Sequence, residues 1–394
     1  MNKTARFFLV TTAIVIGTQY AGARRADADF IQTNLVSDIQ GLATITDPLL
    51  INPWGISHSA TSPFWTSNQG TSTATLYAVT ANNNVTQVTA VNAQGFVAIP
   101  PGGVGAVGPT GQVNNSNTAS FQLTPGDATT SARFIFANLN GTISAWAGGL
   151  AATVKVTTPG AVYTGLAINQ AQTQLYAARA GGIDVFNNSF QPVNNGAFAT
   201  PAPIGARNLV PFNVQTLKNG DVAVTYAPAG GRPAEIVATP GQGAVAIFDG
   251  TGTTVKQTIL GNPGNTPLAS PWGITVAPAS FGEFANDLLV GNFSFVASEI
   301  NAFDPTTGKF EGTIPINIGS NMPGGLWALG FGTGGSNGSP DTLFFTDGIN
   351  GEMDGLFAAL NVSVPGPIAG AGLPGLIFAS TGILCWWRRR QRTV

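Results

Sequence analysis

Six copies of one short pattern run between residues 50 and 360, and this repetition leaves the chain few folds to choose from. Each copy is an apolar strand, a polar turn and a second, alternating strand. The first strands cover residues 63–68 (PFWTSN), 133–138 (RFIFAN), 174–179 (QLYAAR), 221–226 (DVAVTY), 287–292 (DLLVGN) and 342–347 (TLFFTD). Their partners cover residues 74–79, 141–146, 181–186, 243–248, 298–303 and 354–359. Equivalent ends are 67, 40, 62, 55 and 56 residues apart, so the loops vary while the unit recurs. Short alternating strands separated by turn residues at such a period mark an all-β repeat.

A further strand precedes most copies: residues 52–57 (NPWGIS), 164–168 (TGLAI), 212–217 (FNVQTL), 271–276 (PWGITV) and 325–330 (GLWALG). In the second copy residues 119–123 are the candidate. Glycine inside these strands suits a crowded axis where backbones approach closely. A fourth strand follows in five copies, over residues 85–91, 152–157, 190–193, 254–259 and 310–316. The sixth copy runs straight into a Pro-rich spacer, whereas residues 30–36 (FIQTNLV) are a spare strand at the other end. The spacing therefore predicts an all-β fold, a six-bladed β-propeller over residues 29–362 closed by the N-terminal strand. Ring closure leaves only short, protected edges. An open β-solenoid would need a shorter and more regular repeat.

Composition agrees. Charged residues are 9% of the chain, against about 25% in an ordinary soluble protein. With 51 Gly and 26 Pro among 394 residues, a coiled coil, a helical bundle and a charge-driven disordered chain are excluded. Residues 30–364 carry 8 bases against 16 acids, a net charge of −8, so no basic face is available for nucleic acid. A lone cysteine, Cys385, allows no disulfide within the chain.

The remaining bases gather at the two ends. Residues 1–28 read as a signal peptide: Lys3 and Arg6, then an apolar stretch over 7–17, then small residues ending at Ala28. At the C-terminus a spacer over 363–367 precedes 20 uncharged residues, 368–387, long enough for a transmembrane helix. Residues 388–394, with Arg388, Arg389 and Arg390, form a basic cytoplasmic tail. The body would then lie outside the cytoplasm, exported through the Sec pathway. It would be membrane-anchored, or at the cell surface or extracellular after the tail is processed.

This tail resembles the PEP-CTERM sorting signals of bacterial exosortase systems. Pro365, Gly366 and Pro367 stand where that signature reads Pro-Glu-Pro, and the arginines follow its helix. The resemblance implies an exosortase-like sorting enzyme as a partner, beside the membrane itself. Residues 33–38 (TNLVSD), 50–55 (LINPWG) and 270–273 (SPWG) are similar to motifs of an uncharacterised family of exported bacterial propellers. That likeness implies fold and export, and brings no catalytic residues.

Little conventional chemistry is visible. With His58 as the single histidine, a multi-histidine metal site is excluded and a Ser-His-Asp hydrolase is a poor fit. No Gly-Lys-Ser/Thr triplet supports a phosphate loop. The last residue of the first-named strand in each copy is polar: Asn68, Asn138, Arg179, Tyr226, Asn292 and Asp347. In a closed propeller these six share one face and radius, which predicts a polar ring suited to a neutral polar ligand, a glycan or an oxygen-bound metal. The plainer expectation is that they cap strand turns. Trp54, Trp272 and Trp327 begin equivalent inner strands, either to stack on sugars or to fill the core. The expected function is an exported binding or structural module at the cell surface or in the matrix, with an extracellular polysaccharide or surface protein as partner. The alternative is a metal-dependent hydrolase resembling gluconolactonase-type propellers, which hold one divalent cation in the central channel. Two converging carboxylates at the channel mouth would favour it.

Overall fold

Alternation gives every strand one face for each neighbouring sheet, and the computed structural model shows how the repeats use this. It describes residues 30–100, 107–230, 237–294 and 297–363. The expected signal peptide over 1–28, the expected spacer from 364 onward, the apolar segment 368–387 and the tail 388–394 lie outside the described residues. Among the described residues no helix is long and apolar enough to cross a membrane.

Residues Asp29–Val364 form one unit made of six sheets, antiparallel except where the short strand Ile45–Thr46 pairs in parallel with Phe30–Ser37. Blade one comprises Pro53–Ser57, Phe64–Asn68, Thr73–Val79 and Val85–Gln87, with Val97–Ala98 added to its third strand. Blade two comprises Pro109–Asn114, Phe134–Asn138, Thr142–Trp146 and Thr153–Thr157. Blade three has Gly165–Ile168, Gln174–Arg179 and Gly182–Asn187. Blade four has Leu209–Thr216, Val222–Pro228, Ala244–Phe248 and Val255–Leu260. Blade five has Ser270–Val276, Leu288–Phe293, Glu299–Phe303 and Phe310–Pro315. Blade six takes Leu326–Phe331, Leu343–Asp347 and Leu356–Val362 from the end of the repeat region. The first strand of each blade packs on the first strand of the next, and that of blade six returns to blade one, so the ring is closed.

The outer strand of blade six is Phe30–Ser37, paired antiparallel with Leu356–Val362, as the spare-strand argument required. The residues of the TNLVSD motif make this closure. Ser37 Oγ donates to Gly355 O at 2.7 Å, Gly355 N donates to Asp38 Oδ1 at 2.8 Å, and Leu35 and Val36 are fully buried. Burial pushes the Asp38 carboxyl up to about 6 against the pull of the Gly355 N–H, and the charge of Asp354 adds to the rise.

Two expectations are corrected. The inner strand of blade two is Pro109–Asn114; residues 119–123 form a loop instead, with Phe121 at φ 54° and fully buried. Pro109-Thr110-Gly111 repeats the Pro-x-Gly of Pro53-Trp54-Gly55 and Pro271-Trp272-Gly273, a signal the strand pattern concealed. Residues 190–193 do not form a full fourth strand in blade three. Val193 N donates to Val185 O at 2.7 Å and Phe186 bridges Pro192, but Pro192 has no N–H to continue the ladder.

The glycines of the inner strands answer to contact across blades. A Cβ on Gly273 would lie 2.1 Å from Trp327 O, and one on Gly111 would lie 2.2 Å from Leu166 N. Both neighbours are backbone and cannot rotate away. Gly273→Ala is therefore expected to lower stability by about 1–3 kcal/mol through overpacking. Denaturant unfolding checks this, and a stability equal to the parent's would show that the axis is looser than these distances.

Candidate functional site

An aromatic plug closes the ring axis. Trp54 of blade one stacks on Trp327 of blade six with centroids 3.7 Å apart, and meets Phe212 of the opposite blade at 6.5 Å. Trp272 packs edge-on against both tryptophans at 6.1 and 5.7 Å. The three indoles are 0–4% exposed, so they fill the axis rather than offer open stacking faces. Polar groups tie the plug to the ring. Trp272 Nε1 donates to Thr164 O, Trp327 Nε1 to Asn52 Oδ1 and Asn213 Nδ2 to Trp272 O, each at 2.8 Å.

Beyond the plug the axis widens into a cavity of about 1130 Å³, lined by the first strands of all six blades. Trp272 forms part of its floor, and Gln112, Asn213, Gln215 and Thr275 bring amides and a hydroxyl among apolar residues such as Ile56, Leu166 and Leu329. Charged groups reach it at the rim, where the strands end: Lys218, Asp221 and Asp341. Of these, Asp221 Oδ1 accepts from Lys256 Nζ at 2.5 Å and Asp341 Oδ1 accepts from Ser280 Oγ. A second, smaller groove of about 570 Å³ lies between the outer strand of blade two and blade three, beside Arg179.

The six polar strand ends occupy equivalent places. Asn68, Asn138, Tyr226 and Asn292 pair with Pro53, Pro109, Pro211 and Pro271, and Asp347 pairs with Leu326. None lines the axial cavity. Their side chains meet the third strand of their own blade. Asn68 Nδ2 donates to Thr75 Oγ1 at 2.9 Å and continues, through Tyr77, to the buried Asp47. Asn138 Nδ2 reaches Ser144 Oγ at 3.4 Å and Arg179 Nε donates to Asp184 Oδ2 at 2.8 Å. Asn292 Nδ2 lies 3.5 Å from Glu299 Oε1, and its Oδ1 accepts from Ala269 N at 3.0 Å. The hydrogen bond to Asp184 holds the Arg179 guanidinium above its ordinary pKa.

Blades four and six break the pattern. Their third strands offer Ala244 and Ala246, or Leu356 and Ala358, where the others offer polar groups. The Tyr226 hydroxyl therefore turns toward Thr200, and burial raises its pKa. Asp347 is fully buried, and neither carboxylate oxygen has a hydrogen-bond partner among the described residues. Burial pushes it up to about 7, with the neighbouring Ser298 hydroxyl the one group drawing it down.

His58 lines the cavity but is a staple between blades one and six. Its Nε2 is 3.1 Å from Phe331 O, its Nδ1 is 3.2 Å from Asn337 Nδ2, and its ring lies edge-on to Phe64. Nδ1 also lies 3.0 Å from Ser59 O, so a neutral ring donates either from Nε2 to Phe331 O, accepting from Asn337 Nδ2, or from Nδ1 to Ser59 O. Burial lowers its pKa from 6.5, in agreement. The unfolded chain then takes up a proton that the folded chain refuses, so this contribution to stability is complete above about 6.5 and declines as pH falls below it. His58→Gln is expected to flatten the acid limb of stability between about pH 7 and 5, read by denaturant titration; an unchanged slope would contradict the assignment.

A divalent cation does not fit the residues present. Among the described residues no three His, Cys, Asp or Glu side chains converge. Hard cations take six or more oxygens, several of them charged.

No family model matches the chain. The uncharacterised protein R648 of Acanthamoeba polyphaga mimivirus is 28% identical over 365 residues, covering 86% of this chain and 82% of that protein. Protein L690 of the same virus is 28% identical over 312 residues, covering 74% and 76%. Among solved structures, a Bacteroides thetaiotaomicron protein of unknown function has a TM-score of 0.49 at 12% identity, covering 85% of this chain and 77% of its own. Kuenenia stuttgartiensis hydrazine synthase has a TM-score of 0.46 at 14% identity, covering 78% and 76%.

Proposed function

We propose that the chain is an exported binding module whose ligand enters the axial cavity from the rim. A closed propeller suits a binding or structural role in general terms. The cavity carries the more specific reading: it is large enough for a small-molecule ligand, concave, and lined by apolar walls with a few convergent amides. Export is supported by the charge and hydropathy of residues 1–28, and retention at the membrane or surface by residues 363–394, with a sorting enzyme acting at Pro365, Gly366 and Pro367. A polysaccharide or surface protein outside the cell is the partner in this reading.

Two experiments test it. N-terminal sequencing of chain recovered from outside the cytoplasm is expected to start at Asp29; an intact Met1 there would overturn the cleavage, and chain confined to the cytoplasm would overturn the export reading. Gln215 is exposed within the cavity and makes no side-chain hydrogen bond among the described residues, so Gln215→Trp fills space without removing a support. A neutral oligosaccharide or peptide that raises the unfolding midpoint of the parent is expected to lose that effect on Gln215→Trp. Equal shifts in both would place the ligand elsewhere.

A further inference from the structure

The geometry points to recognition of one end of a neutral glycan chain, and this rests on the axial cavity being the binding site. The cavity is blind. Trp54 and Trp327 are in stacking contact at 3.7 Å, and Trp54 touches Phe212 from the opposite blade, so nothing can thread the ring at that level. A polymer can therefore insert a terminus but cannot pass through.

Below the rim the walls hold amides, hydroxyls and aliphatic groups without a formal charge. Gln215 and Thr275 offer donors and acceptors, and Ile56 and Leu329 lie among them. The buried Trp272 only closes the floor, so a sugar face would pack on the aliphatic walls. Sugars present this same mixture, hydroxyls around the ring edge and C–H groups on its faces, which pack on aromatic and aliphatic side chains. An anionic or cationic ligand would enter a space with no countercharge and lose hydration without compensation. The charges stay at the rim, where the strands end: Asp221 is paired with Lys256, and Lys218 and Asp341 stand at the mouth and not on the inner walls.

The test uses the Asp29–Val364 unit, which contains every strand of the ring and closes it. Neutral gluco-, manno-, xylo- and galacto-oligosaccharides are titrated by calorimetry, each free and with bulky caps on both ends. At least one free series is expected to bind with one site per chain, and capping both ends is expected to weaken it by about tenfold or more, that is about 1.4 kcal/mol. Capped and free forms binding equally, with both lost on Gln215→Trp, would overturn end recognition and leave the cavity as the site. No binding by any series, while a neutral peptide pool still shifts the parent and not Gln215→Trp, would overturn the glycan class alone. Glycan binding unaffected by Gln215→Trp would overturn both.

Discussion

Deleting residues 29–38 is expected to abolish cooperative unfolding altogether, whereas removing residues 1–28 leaves it intact. The strand Phe30–Ser37 is the outer strand of blade six, and without it Leu356–Val362 becomes a free edge. Leu35 and Val36 also leave a buried cluster shared with Phe64, Tyr77 and Phe357. The loss reaches beyond one strand, because Ser37 and Asp38 hold Gly355 from both sides. Exposed edges template pairing with other chains, so the shortened protein should aggregate. The point variant Leu35→Ala keeps the strand and is expected to cost about 2–5 kcal/mol. Calorimetry and size-exclusion chromatography check both. A deletion that still melts in one sharp step would show that the ring does not depend on this closure.

The second large effect has the opposite sign. Asp347→Asn is expected to stabilise the protein above about pH 7, on the order of 4 kcal/mol. The folded state holds Asp347 at about 7 against 3.8 for the free group, so it binds a proton the unfolded chain has already released. Stability from this group is complete below about 4 and is lost as pH rises to about 7, after which the penalty is constant. Asparagine keeps the shape and removes the titration. Chemical denaturation of parent and variant across this range should diverge from about pH 4 upward and run parallel above about 7. Equal curves would mean that Asp347 finds a partner in solution. No Lys, Arg or His enters the account of its shift, and the acids Glu299 and Glu352 are engaged with Asn292 and Asn52.

Much of the fold was legible because the propeller writes itself in local patterns. Strand alternation located five of the six inner strands, and the missing outer strand of blade six pointed to residues 30–36. The inner strand of blade two was hidden because Pro109-Thr110-Gly111 lacks the tryptophan that marks blades one, five and six. The short fourth segment of blade three was over-read because apolar Phe190 and Val193 flank Pro192, whose missing N–H outweighs their propensity. The register of Asn68, Asn138, Arg179, Tyr226, Asn292 and Asp347 followed from the repeat. What they face did not: it depends on the third strand two residues past the pairing partner, where Thr75, Ser144, Asp184 and Asn301 alternate with Ala246 and Ala358. Nor does the repeat announce that Trp54, Trp272 and Trp327 meet across the axis, since that contact joins residues more than fifty positions apart and exists only once the ring closes.

The most direct measurement is the crystal structure of the Asp29–Val364 unit soaked with whichever neutral oligosaccharide gives the largest thermal shift. This account predicts a terminal sugar ring in the axial cavity, one face against Ile56 and its hydroxyls within hydrogen-bond reach of Gln215 or Thr275. A sugar bound instead in the groove beside Arg179, or on the outer strands of the blades with the cavity empty, would contradict it.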